Sequence, residues 1–136
     1  MKKTLSKSSP YYISEYRRKE LEYYCLQYDE WKKMLSQLDG YSSLHKSIID
    51  VSKKSTTENL QSLIEKRELY LKKIESVDNA IKQLGICSTL MGDILIHVTT
   101  QYSYDKMNAR KPIPCGRRQF YDYVRQFYRI LDNYKS

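Results

Sequence analysis

Arg117, Arg118, Gln119 and Tyr121 are the side chains of this sequence best suited to recognition chemistry. Arginine can bond guanine O6 and N7 bidentately, and glutamine can do the same with adenine, so Arg-Arg-Gln at a helix start reads as base contact in duplex DNA. Around them stand Lys106, Arg110, Lys111, Arg125 and Arg129, cations suited to phosphate, which adds salt-dependent affinity without sequence choice. Residues 103–136 hold eight Lys/Arg against three Asp, which accounts for five of the chain's eight excess positive charges. Concentration of charge is what separates a binding footprint from general solubility. Asp122 can pair with Arg118 or Arg125 and hold them in register.

Other chemistries find no support in the residue pattern. Three cysteines (Cys25, Cys87, Cys115) are widely spaced and include no Cys-x-x-Cys pair, so neither a disulfide framework nor a zinc site follows. His97 has no second ligand at metal-binding spacing, and His45 carries no signal. No nucleophile–base pair, carboxylate dyad or glycine-rich phosphate loop is visible, so the expectation is a protein that is not an enzyme. The same reading expects no cofactor and no small-molecule substrate.

The elements that must position the basic residues follow from punctuation and period. Ser103 can cap a short helix, YDKMNA, whose Tyr104 and Met107 pack inward. Pro112 and Pro114 cannot continue it, so the chain turns between Arg110 and Cys115, with Ile113 plugging the corner. A longer helix then starts near Cys115–Arg117. Its apolar face is Phe120, Tyr123, Val124, Phe127, Ile130, Leu131 and Tyr134, at steps of three and four. That order suits a helix-turn-helix.

Upstream, Ser14 reads as an N-cap with Glu15 behind it, opening a helix through residue 39, bent near Tyr28–Asp29 and ended by Gly40. Residues 41–56, rich in Ser and Lys, read as a loop. Thr56 or Thr57 caps a long helix through Leu84, with Gly85 as its stop. Leu60, Leu63, Tyr70, Ile74, Val77, Ile81 and Leu84 form a heptad-like stripe, broken where Arg67 takes a seam position. One narrow stripe needs a partner. An antiparallel hairpin with helix 14–39 supplies it, and a homodimer through residues 57–84 is the competing arrangement. Residues 86–101 form a third helical segment with Leu90, Met91, Ile94, Leu95 and Val98 buried.

At 136 residues the chain is one domain, or a small domain with an extension. Forty per cent apolar and 29% charged residues fit a folded protein, and four Gly with three Pro are too few for an all-β fold. The expected class is all-α: a long, coiled-coil-like helical hairpin over 14–84 with its loop at 41–56, then a helix-turn-helix over 86–136, preceded by a flexible basic leader over 1–13. No apolar run approaches the roughly 20 residues that span a bilayer. The leader lacks the apolar stretch of a secretory signal, so a cytoplasmic protein with no membrane contact is expected. Fourteen tyrosines are the compositional oddity and suggest a thin core with wet edges, or contact surfaces.

Residues 11–33, YYISEYRRKELEYYCLQYDEWKK, and 113–131, IPCGRRQFYDYVRQFYRIL, resemble small helix-turn-helix proteins carried by prophages of Clostridia and other Firmicutes. These are similar to the ArpU- and RinA-type phage late transcription regulators, which place a sigma-region-4-like helix-turn-helix after a helical N-terminal part. The resemblance implies that Arg117, Arg118, Gln119 and Tyr121 lie on the DNA-facing helix. It also implies a sequence-specific regulator that binds double-stranded DNA in a bacterial host and touches RNA polymerase or another host or phage protein. Asp29 stands where the family pattern has proline, and Tyr123-Val124-Arg125-Gln126 carries one basic residue fewer. Two alternatives stay open. One is an inhibitor of a host nucleoprotein (an anti-CRISPR or other anti-defence factor), contacting it through 41–56 and the tyrosine-rich first helix. The other is a small terminase subunit-like packaging protein.

Overall fold

The computed structural model describes residues 12–48 and 55–135, and among them the fold is all-α: six helices and no strand. α1 (Glu15–Leu26) opens on Ser14, whose extended backbone lets its Oγ accept the Arg17 N–H at 3.2 Å. α1 stops at Gln27, whose N–H reaches back to the carbonyls of Tyr24 and Cys25, and α2 (Tyr28–Ile48) follows at once. The bend expected near Tyr28–Asp29 is therefore a break between two helices.

α2 does not stop at Gly40. It runs on to Ile48, so most of the expected loop 41–56 is helical; residues 49–54 lie outside the described residues, and so do residues 1–11 of the leader expected over 1–13, whose Ile13 is buried. A glycine inside a helix costs only about 0.5–1 kcal/mol. Leu38, Tyr41, Leu44 and Ile48 carry the apolar step of three to four past it. α3 (Ser55–Lys82) begins slightly before its expected cap, and a turn leads to Gly85, whose φ of +66° is the left-handed conformation that glycine adopts without strain.

α4 (Ser88–Thr100) ends on Gln101, a non-glycine residue at φ +61° whose N–H bonds the His97 carbonyl at 2.7 Å. His97 Nδ1 donates to the Tyr102 carbonyl at 2.6 Å, so the histidine closes this helix end as a structural group. α5 (Tyr104–Arg110) starts on Ser103, whose Oγ accepts the Lys106 N–H, and α6 (Arg117–Lys135) completes the chain.

The chain divides into two compact units, one made of Met1–Gln27 with Ser76–Ser136 and the other of Tyr28–Glu75. In the first, α4 packs on α1 and α6, and α5 packs on α6. Its core is built from Leu21 and Cys25 of α1, Val77 and Ile81 of α3, Ile94 and Val98 of α4, and Phe120, Val124, Phe127, Tyr128 and Leu131 of α6. Cys25 serves as a small buried apolar residue, and burial pushes its thiol pKa far up. This division differs from the expected split into 14–84 and 86–136: α1 belongs with the C-terminal helices. In the second unit Tyr28, Trp31 and Ile74 are buried, while Ile64 and Leu69 are exposed. There Lys32 and Lys73 place their ammonium groups over the rings of Tyr28 and Trp31, at 4.8 and 5.7 Å from the ring centroids.

Candidate nucleic-acid interface

The geometry of the basic segment is set by how the chain turns between α5 and α6. Pro112 and Pro114 forbid helix there, and the backbone they free is held by side chains. Asn108 Oδ1 accepts the Ile113 N–H at 2.9 Å, Tyr104 Oη donates to the Cys115 carbonyl at 2.6 Å, and Tyr121 Oη accepts the Tyr104 N–H at 3.3 Å. Ile113 is buried as the corner plug, with Tyr104 and Met107 inward. Phe120 is the hub: its ring lies 5.3 Å from Tyr104, 5.5 Å from His97 and 5.6 Å from Tyr121. Three helices thus fix the point at which α6 begins. The connection, Lys111–Gly116, is longer than the three or four residues of a tight helix-turn-helix turn.

On this frame Lys106, Arg110, Lys111, Arg117, Arg118 and Gln119 are all exposed, and residues 106–121 contain no acid. They differ in what holds them. Arg117 Nη1 lies 3.5 Å from Asp105 Oδ2 across the α5–α6 corner, with both side chains more than half exposed. Arg118 makes no ion pair or hydrogen bond among the described residues. Gln119 Nε2 donates to Tyr123 Oη one turn along, at 3.0 Å. Lys106 Nζ stands 4.1 Å from the Tyr102 ring centroid.

The remaining expected contact residues are placed otherwise. Tyr121, read from sequence as a base contact, is half-buried, its ring edge-on to His97 and its hydroxyl engaged at the corner. Arg125, read as a phosphate contact, is only 9% exposed, and its Nη2 donates to Asp122 Oδ1. Arg129 reaches Asp132 at 3.4 Å, and Asp132 also accepts from Arg17 Nε of α1 at 2.5 Å. Tyr121 is held by α4 and α5, and Arg129 lies beside the second neighbour of α6, where Arg17 of α1 shares Asp132. Because α1 as well as α4 packs on α6, its covered arc is wider than one apolar stripe. Tyr128 is fully buried, with the Arg18 guanidinium 5.0 Å from its ring centroid and Gln101 Nε2 donating to its hydroxyl at 3.2 Å. Ile130 and Tyr123 are half-covered, and Tyr134, read as apolar face, is exposed. The spacing of Tyr128, four residues after Val124 and three before Leu131, was the signal that could have found it.

One buried acid belongs to this neighbourhood. Asp93 of α4 is buried, and its Oδ2 has no hydrogen-bond partner among the described residues. Burial raises its pKa above the ordinary carboxylate range, and the positive charge of Lys111 opposes the rise. The Cys115 thiol is also pushed up, by burial first and then by the Asp93 charge. Among the described residues no group of three or more His, Cys, Asp or Glu is placed to hold a metal ion, and no helix is long and apolar enough to cross a membrane. No family model, curated protein or solved structure matches this chain.

Proposed function

We propose that this protein is a sequence-specific regulator of transcription, of the phage or prophage kind, that binds double-stranded DNA with the α5–α6 corner and the first turn of α6. The observation that carries the reading is the cluster of exposed Lys106, Arg110, Lys111, Arg117 and Arg118 at the α5–α6 corner, with no acid between residues 106 and 121. Arg110, Lys111 and Arg118 then serve phosphates, and Arg117 and Gln119 face base edges. Selection of bound fragments from a random duplex pool at two salt concentrations tests it. The expected result is enrichment of one motif, with log affinity falling against log salt at a slope of no more than roughly four to five for five such cations. Binding that is absent, or that ignores salt, overturns it.

A protein partner is favoured by a different observation. Tyr16, Tyr23 and Leu26 lie on the outer face of α1, with Tyr16 80% exposed. Two exposed tyrosines with an exposed leucine on one helix face suit contact with RNA polymerase or, in the alternative reading, with the nucleoprotein of a host defence system. Nuclease-treated pull-downs comparing the unaltered chain with Tyr16→Ala/Tyr23→Ala separate this surface from DNA-bridged association. Self-association through residues 57–84, or a ring of the terminase kind, is read directly from mass in solution.

A further inference from the structure

Arg117 and Arg118 are adjacent in sequence and about 100° apart around α6, so they cannot both face α5. Arg117 is the one that does, and it meets Asp105, 3.5 Å away in the first turn of α5. Arg118 has no such partner among the described residues. An ion pair this exposed is too weak to withhold an arginine from a polyanion. Its consequence is conformational: a long side chain with many rotamers is biased towards one of them, at one place on the corner.

The geometry points to Asp105 as a positioning residue that presents Arg117 for guanine recognition, while Arg118 serves a phosphate. This deepens the DNA-binding reading and rests on it. Asp105 contacts the guanidinium through Nη1, which leaves the Nη2 and Nε hydrogens as a parallel pair of donors. That pair matches guanine O6 and N7, the two acceptors that no other base offers together in the major groove. Phosphate needs no such preparation, because its acceptors surround a single charge and any rotamer reaches one of them. The acid also repels the DNA backbone. Asp105 therefore acts in two opposite senses: it weakens binding to duplex in general and sharpens the choice of base at one position.

Opposite signs make the test decisive. Asp105→Asn, Arg117→Ala and the double variant are compared with the unaltered chain, using the duplex selected above, a random duplex, and the selected duplex with 7-deazaguanine at each guanine in turn. Unfolding midpoints verify that every variant folds. Asp105→Asn is expected to bind random duplex more tightly and to lose roughly three- to tenfold of the preference for guanine at one position. The 7-deaza substitution should be felt there by the unaltered chain and scarcely by Arg117→Ala. The double variant should lose no more selectivity than Arg117→Ala alone, because Asp105 acts through that arginine. An unchanged base profile in Asp105→Asn overturns the inference while leaving DNA binding intact, and so do additive losses in the double variant. Failure of the unaltered chain to select any duplex overturns the parent reading instead.

Discussion

The first turn of α6 and its later turns carry two arginines each, yet Arg118 stands exposed with no ion pair among the described residues and Arg117 meets only the exposed Asp105, while Arg125 and Arg129 are tied to acids three residues away on α6 itself. The first pair sits where the chain has just left a proline turn, beside α5 and close to the His97 end of α4. The second pair lies where α6 crosses α1, and Asp132 collects both Arg129 and Arg17. Positive charge is therefore a poor guide to an anion-binding surface unless the acids within one turn and the packed neighbour are counted with it. Net charge attracts a polyanion from a distance; unpaired, exposed cations hold it.

The comparison breaks altogether if α6 loses its seat. Phe120 is fully buried and joins α4, α5 and α6 by contacts with His97, Tyr104 and Tyr121. Phe120→Ala should cost about 3–5 kcal/mol, enough to unfold a marginal domain, with the loss read from chemical denaturation. A loss below about 1 kcal/mol would show that the corner is not held by this ring.

A paired substitution sharpens it. Arg118→Ala should leave stability within about 0.5 kcal/mol and reduce the salt slope of DNA binding by roughly one unit. Arg125→Ala should do the reverse, lowering stability by about 1–2 kcal/mol through lost packing of a buried stem while leaving the slope unchanged. Equal slopes in the two variants would erase the distinction between the ends of the helix.

Much of the open end was legible in the sequence because its signals are local. Ser103, Pro112, Pro114 and Ile113 act on their immediate neighbours, so cap, turn and plug could be placed without knowing what packs against them. The closed end was not legible for the converse reason. Tyr128 turns inward where α1, a hundred residues away in sequence, lies against α6 and sets Arg18 over its ring. The assignment of α1 to a hairpin over 14–84 hid that neighbour. Asp105 was visible only as one negative charge to be subtracted, and its use depends on a distance across the corner. Gly40 was overread as a stop, since a helix tolerates one glycine when the apolar period continues on both sides.

The smallest effect concerns the buried acid of the open end. Unfolded, Asp93 releases its proton in the ordinary carboxylate range; folded, burial makes it hold the proton to higher pH, with Lys111 pulling the other way. Within that window the native state binds more protons than the unfolded chain, so stability falls as pH rises through it and is regained on acidification. Asp93→Asn removes this dependence. Unfolding midpoints measured from neutral pH down towards the carboxylate range should therefore show the unaltered chain gaining on the Asn variant as pH falls. Lys111→Ala, which takes away the opposing charge, should steepen the loss on the alkaline side. It should also weaken DNA binding, since the exposed lysine that faces Asp93 is one of the cations of the corner. Parallel curves for the unaltered chain and Asp93→Asn would mean that folding leaves the titration of the carboxylate where it was, the charge of Lys111 cancelling the effect of burial.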